Sequence, residues 1–185
     1  IPSWAKDPKS LRLLINLRSE TAAEKGTSRA AMRHRRALVP ASGFYEWRKV
    51  GKQRLPFFLR PRGGGIVAFA GLMETYADPN GSEIDTGAIL TTAASPDIAT
   101  IHDRMPVVVS PQDWSRWLDC RQVEPADVQD ILKGSQPDFF EAIPISDLVN
   151  KVANLGPEIQ QPVAHSVMTA PSKIEPDDGG QIDLF

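Results

Sequence analysis

Short apolar runs, most of them strand-sized, alternate along this chain with polar, turn-forming stretches. Ala88 to Ala94 and Val107-Val108-Val109 are β-branched and apolar enough for buried strands, as is Ile66 to Leu72 after the glycine turn at Gly63 to Gly65. Leu13-Leu14-Ile15 leads into Asn16-Leu17-Arg18-Ser19-Glu20-Thr21, where Asn16, Arg18 and Glu20 share one face if the segment is extended. Gly43 to Arg48 and Pro56 to Arg60 predict a hairpin turning through Val50-Gly51-Lys52-Gln53. Phe139 to Ile145 predicts a closing strand.

Helical spacing is confined to shorter pieces. The Ala-rich, basic stretch from Ser28 to Arg36 predicts a helix capped by Thr27 or Ser28. Ser110-Pro111 starts another that carries Trp114, Trp117 and Leu118 as core residues, and Pro125 to Lys133 a third. Many strands with few helices predict an α+β fold with a predominantly antiparallel sheet. The compact part ends near residue 163. From Ala164 the Pro-, Asp- and Gly-rich composition predicts a flexible tail.

The 185 residues form one domain by default, and 41% apolar with 24% charged residues is ordinary for a globular protein. No apolar run reaches the length of a spanning helix and no secretory pattern is present, so the expected location is the cytoplasm, without a membrane partner. Cys120 is the one cysteine, which excludes an internal disulfide and suits a packing role. The net charge of −2 conceals an asymmetry, since residues 1–62 carry 15 Lys and Arg against 4 Asp and Glu, and the remainder 6 against 19. Such an excess favours a phosphate-bearing partner; a solvated helix face accounts for Arg33, Arg35 and Arg36 but is strained for the whole excess.

Candidate chemistry gathers at Ile101-His102-Asp103-Arg104-Met105-Pro106, a polar triplet at the junction of two core strands. His102 beside Asp103 reads either as a satisfied structural pair or as a catalytic base. Glu46, between Tyr45 and Trp47, is either a desolvated acid–base carboxyl or a partner for a nearby arginine. Trp4, among basic residues, stacks on a base or plugs the core. No His-Glu-x-x-His spacing, Gly-x-Ser-x-Gly elbow or phosphate-cradling glycine loop occurs, so neither a metal nor a nucleotide cofactor is expected.

The motifs Asn16-Leu17-Arg18-Ser19-Glu20-Thr21, Gly43-Phe44-Tyr45-Glu46-Trp47 and Ile101-His102-Asp103-Arg104-Met105-Pro106, in that order, resemble the SOS-response-associated peptidase (SRAP) family of abasic-site processing proteins. The likeness runs from Ile1 to about Val163. It implies a twisted, barrel-like sheet with flanking helices and a positively charged cleft for single-stranded DNA. It also implies covalent capture of the abasic aldehyde as a thiazolidine by an N-terminal cysteine that first removes its own initiator methionine. Asn16 is similar to the asparagine that hydrogen-bonds the crosslink, Glu46 to the glutamate that helps open the sugar ring, and His102 to the histidine that assists Schiff-base formation and reversal. Arg18 and Arg104 resemble phosphate-gripping arginines, Trp4 resembles an aromatic that braces the displaced strand, and Arg29 and Trp47 join them as DNA-binding candidates.

This chain departs from the family where the nucleophile belongs. Ile1-Pro2-Ser3-Trp4 is similar to a segment several dozen residues into the family, Ala37 stands where relatives often have cysteine, and Cys120 matches no catalytic position. The expectation is an N-terminally truncated domain over residues 1–163 that is inactive in crosslinking. A noncovalent single-stranded DNA clamp and a general thiol peptidase are the alternatives. The last residues, Gln181-Ile182-Asp183-Leu184-Phe185, resemble the clamp-binding motif of bacterial repair proteins, with Gln181 on the groove rim and Leu184 and Phe185 in the apolar pocket of the sliding clamp. Nucleoid-associated DNA in a bacterial cytoplasm is the location this implies.

Overall fold

The structure, a computed structural model, describes residues 14–77 and 80–164. Trp4 and the terminal residues Gln181, Leu184 and Phe185 lie outside the described residues. The chain divides into two compact units, each with its own sheet. As expected, sheets dominate and helices are few; both strand orders are open, so neither sheet is a closed barrel.

The first unit draws on residues up to Ala41, on Ile66–Ala93 and on Arg104–Ser135. Its strands are β1 (Asn16–Arg18), β2 (Arg36–Ala41), β5 (Val67–Ala77), β6 (Glu83–Ala93) and β7 (Arg104–Pro106), ordered β1-β6-β5-β2 with β7 also on β6. All these pairings are antiparallel except β1 on β6, which sets Asn16 opposite Ile89 and Arg18 opposite Thr91. The apolar run 107–109 continues β7 into a fork between β6 and β5: Val107 N donates to Leu90 O, Ala70 N to Val107 O and Val109 N to Ala68 O. Leu90, Val107, Val109, Met32 and Trp117 meet there in a core closed to solvent.

Helix α1 is shorter than expected, Arg29–His34, because Arg36 opens β2 instead of closing a basic helical face. Arg36 is buried, 5% exposed, and its guanidinium donates to Trp117 O, Met32 O, Asp119 O and Val123 O at 2.6–3.0 Å, with its carbon 5.6 Å from the Trp117 ring centre. Five donors in a rigid fork suit four carbonyls gathered from separate turns, and the ring face adds a favourable cation contact. The reading of Arg36 as a solvated helix residue is therefore corrected. Ser28 stands at the helix N-cap, yet its hydroxyl donates to Ala22 O and caps nothing. Helix α2 (Trp114–Leu118) buries Trp117 completely, whereas Trp114 and Leu118, expected in the core, are exposed because five residues offer one inward position. The expected third helix shrinks to a 3₁₀ turn, Pro125–Val128. Cys120 has the packing place expected of it, its Sγ accepting from Arg36 N at 3.4 Å.

The second unit comprises Ser42–Gly65, Ala94–Asp103 and residues from Gln136 onward. Strands β3 (Phe44–Val50), β4 (Gln53–Pro61) and β8 (Phe140–Pro144) form an antiparallel sheet in the order β3-β4-β8. Val50 pairs with Gln53 across a two-residue turn whose first position, Gly51, has φ +59°, a conformation side chains resist and primed hairpin turns need. At Gly43 a Cβ would strike Leu59 O and the Phe58 ring, so β3 enters flush against β4 only with glycine there. Ala94–Asp103 is a compact excursion: Ile98 N and Ala99 N donate to Ser95 O, Ala94 N to Asp103 O at 2.8 Å, and Ile98 and Ile101 are buried.

The four carbonyls around Arg36 make a specific prediction. Arg36→Lys retains the charge but offers three donors on a point cation, so the unfolding free energy should fall by about 2 kcal/mol or more in urea denaturation. Unchanged stability would show that water satisfies those carbonyls equally well.

Candidate active site

Register and closure bring two of the three expected catalytic side chains together. On β3, Glu46 pairs with Phe57, and the run Phe57-Phe58-Leu59 beneath the hairpin is buried. The excursion Ala94–Asp103 ends at His102, whose Nδ1 lies 3.8 Å from Glu46 Oε1 and 3.4 Å from Asp103 Oδ1. The side chains are 19% exposed at Glu46, 28% at His102 and 43% at Asp103, so the carboxyl sits deepest and Asp103 nearest water. Burial raises the Glu46 pKa above the ordinary carboxylate value. His102, the Trp47 backbone and Arg54 pull it back down, while the charge of Asp103 pushes it further up. Burial prevails, which leaves a carboxyl inclined to hold its proton beside a ring that can exchange one. Burial is the largest influence on the Glu46 carboxyl, ahead of the nearby charge of Arg54, as the desolvated reading expects.

The aromatic neighbours of Glu46 have their own fixed contacts. Trp47 is half-buried and its Nε1 donates to Asn150 Oδ1 at 2.8 Å, while Tyr45 Oη accepts from Gln160 Nε2 at 2.8 Å. Asn150 lies on the 3₁₀ turn Asp147–Asn150, in a segment whose sequence carries no signal for that role.

The remaining candidates belong to the first unit. Asn16 and Arg18 are exposed on β1, and Arg29 is exposed at the start of α1. Glu20 is not on the strand face with them, because the chain turns into a 3₁₀ helix at Ser19–Thr21. That turn aims Glu20 at Arg104: Nη1 and Nη2 meet the two carboxylate oxygens at 2.6 and 2.9 Å, and Nη2 also donates to Thr91 O at 2.6 Å. The Arg104 contact holds the Glu20 carboxyl below its ordinary pKa. Arg104, expected on phosphate, thus has its fork on a carboxylate in this structure, whereas Arg18 is exposed and bonds to no group among the described residues. Among the described residues no group of His, Cys, Asp and Glu is arranged to hold a metal ion, and no helix is long and apolar enough to cross a membrane.

Fold and side chains together define an α+β protein that presents a partly buried carboxyl–imidazole pair. A family profile described as SOS response associated peptidase (SRAP) matches residues 1–152, and the chain belongs to that family. It is 36% identical over 160 residues to the abasic site processing protein YoqW of Bacillus subtilis, covering 86% of this chain and 71% of that one. To the abasic site processing protein YedK of Escherichia coli it is 34% identical over 164 residues, covering 88% and 71%. A crystal structure of a protein from Bacteroides thetaiotaomicron superposes with a TM-score of 0.82 at 25% identity, covering 89% of this chain and 74% of that one.

A raised carboxyl pKa in the folded chain means that the native state binds the Glu46 proton more tightly than the unfolded state. That contribution to stability is present at low pH and is lost as pH rises through the folded pKa. Glu46→Gln removes the titration, so its stability relative to the parent should increase as pH rises through and above the ordinary carboxylate range in urea denaturation. A relative stability that falls with pH would mean a carboxylate stabilised by its neighbours.

Proposed function

We propose that this chain is a DNA-repair protein that processes abasic sites in single-stranded DNA, with Glu46 and His102 as its acid–base pair. The observation that carries the reading is the raised, half-enclosed Glu46 carboxyl with the imidazole of His102 beside it, on a chain related to abasic site processing proteins. An abasic sugar is mostly a closed furanose, and opening it to the aldehyde requires a proton delivered to the ring oxygen and another taken from the hydroxyl at C1′. Glu46 gives the first and His102 takes the second.

The aldehyde is then captured in the manner the family resemblance implies. The amine of an N-terminal cysteine adds to C1′, the carbinolamine loses one water to give an imine, and the thiol adds to the imine carbon to close a thiazolidine. Asn16 hydrogen-bonds that crosslink, and Arg18, Arg29, Trp47 and Trp4 hold the strand. Arg104 joins them where phosphate replaces Glu20 on its fork. The same cysteine removes its own initiator methionine. The 185 residues hold Cys120 alone, so the covalent step is proposed for a chain bearing that N-terminal cysteine. Gln181, Leu184 and Phe185 dock this activity on the sliding clamp, at nucleoid DNA in the cytoplasm. A bare single-stranded DNA clamp is the second reading, favoured by the exposure of Arg18 and Arg29.

Two assays separate them. For the chain itself, affinity for single-stranded DNA should drop steeply with salt, and Arg18→Ala should flatten the slope by about one unit. On a chain carrying the family's N-terminal cysteine, an adduct with abasic single strands should survive a denaturing gel. There Glu46→Gln should slow its formation about 100-fold or more and His102→Ala should slow imine formation or reversal. Wild-type rates in both variants would remove Glu46 and His102 from the chemistry, and no adduct at all would reduce the protein to a binding module.

A further inference from the structure

A cleft of about 530 Å³ opens wholly within the second unit, where the start of β4 meets the 3₁₀ turn Asp147–Asn150. That volume is in the range of small-ligand sites. Arg54 and Asp147 both line it without pairing, and neither side chain bonds to another group among the described residues. Each charge is therefore left for a ligand with an anion at one end and hydrogen-bond donors at the other.

The turn determines what the donor end must be. Asp147 and Asn150 are three residues apart on it, a spacing at which 3₁₀ side chains eclipse, so the two stand together on one side. Ser146 fixes the turn, its Oγ accepting from Leu148 N at 3.3 Å. Asn150 Oδ1 already accepts from Trp47 Nε1 at 2.8 Å, and the group it has left is the donor Nδ2. The cleft thus presents a two-oxygen acceptor beside an amide donor. Guanine alone among the DNA bases sets two donors side by side on its pairing edge, N1–H and N2–H, with the O6 acceptor next to them. Leu55 and Val163 supply apolar wall for the ring, and the Arg54 fork suits a phosphate.

We propose that this cleft is a guanine nucleotide subsite: Asp147 accepts from N1–H and N2–H, Asn150 donates to O6, Leu55 and Val163 pack the ring, and Arg54 binds the phosphate. Two sources offer that chemistry, a guanosine unit of a single strand and a free guanine nucleotide. The first rests on the single-strand reading given above, and it is favoured because Asn150 is bonded to Trp47, the chain neighbour of Glu46 and a strand-binding candidate.

The subsite is tested on the full 185-residue chain with 2′-deoxyguanosine 5′-monophosphate as probe, followed in amide NMR spectra, so that the outcome does not depend on whether the chain binds a strand. The probe should shift the amides of Arg54, Asp147 and Asn150 and bind about tenfold more tightly than its adenine counterpart. Asp147→Asn should bring the two nucleotides to parity, and Arg54→Gln should weaken both about tenfold while leaving the phosphate-free nucleoside unaffected. Displacement of the probe by a single strand bearing deoxyguanosine assigns the cleft to the strand, and a probe that stays in place beside a bound strand assigns it to the free nucleotide. A chain that takes the probe but no strand contradicts the single-strand reading and leaves the subsite standing. Absence of probe binding, equal affinity for the two nucleotides in the parent, or unchanged affinities in either variant would overturn the proposal.

Discussion

Everything proposed for this chain depends on holding one carboxyl out of water beside one imidazole. An isolated buried carboxylate is costly enough that it takes up a proton unless a cation or donors compensate it. At Glu46 the compensation is partial: His102 and Arg54 oppose the burial without cancelling it. Several unrelated pieces of local structure serve that balance. The primed turn at Gly51 fixes the β3–β4 register, the bare Cα of Gly43 allows the strands to close, and the Ala94 to Asp103 hydrogen bond fixes where the histidine stands. Loss of any of these would move a side chain by more than the few tenths of an ångström that separate a near contact from a bond.

The charges follow a second rule, that segregation along the chain need not mean segregation in space. Part of the basic excess of residues 1–62 is matched by acidic residues of the later chain: Arg33 by Glu124, Arg60 by Glu141 and Arg62 by Asp138. These pairs are exposed and contribute little stability each. Among the described residues Arg36 is matched by no acid, its charge being spread over four carbonyls in the first unit's interior. What stays exposed for an anionic partner is a smaller set that includes Arg18 and Arg29.

That difference marks where the residues alone were legible. Strands were readable because β-branched runs and glycine turns encode them locally: the Phe44–Val50 and Gln53–Pro61 hairpin and the Phe140–Pro144 strand lie within a residue or a few of their expected places. Proximity of Glu46 and His102, far apart in the chain, was legible only through a family pattern, since neither periodicity nor spacing relates them. The arginines were the least legible. Helical composition around Arg33, Arg35 and Arg36 says nothing of the carbonyls that Trp117, Asp119 and Val123 would later bring to Arg36. Likewise the polar stripe Asn16, Arg18, Glu20 looks uniform until the 3₁₀ turn at Ser19 diverts Glu20 onto Arg104. Both are long-range satisfactions of buried or half-buried charge, for which local sequence carries no signal.

The proposed function requires proton transfer between an abasic sugar and the Glu46 and His102 side chains. A crystal structure of the chain with a single strand bearing a tetrahydrofuran abasic analogue tests this most directly. The account predicts the analogue's ring oxygen and C1′ within about 3–3.5 Å of the Glu46 carboxyl and the His102 imidazole, the reach that general acid–base transfer requires. A strand bound with its abasic sugar out of contact with both residues would contradict it.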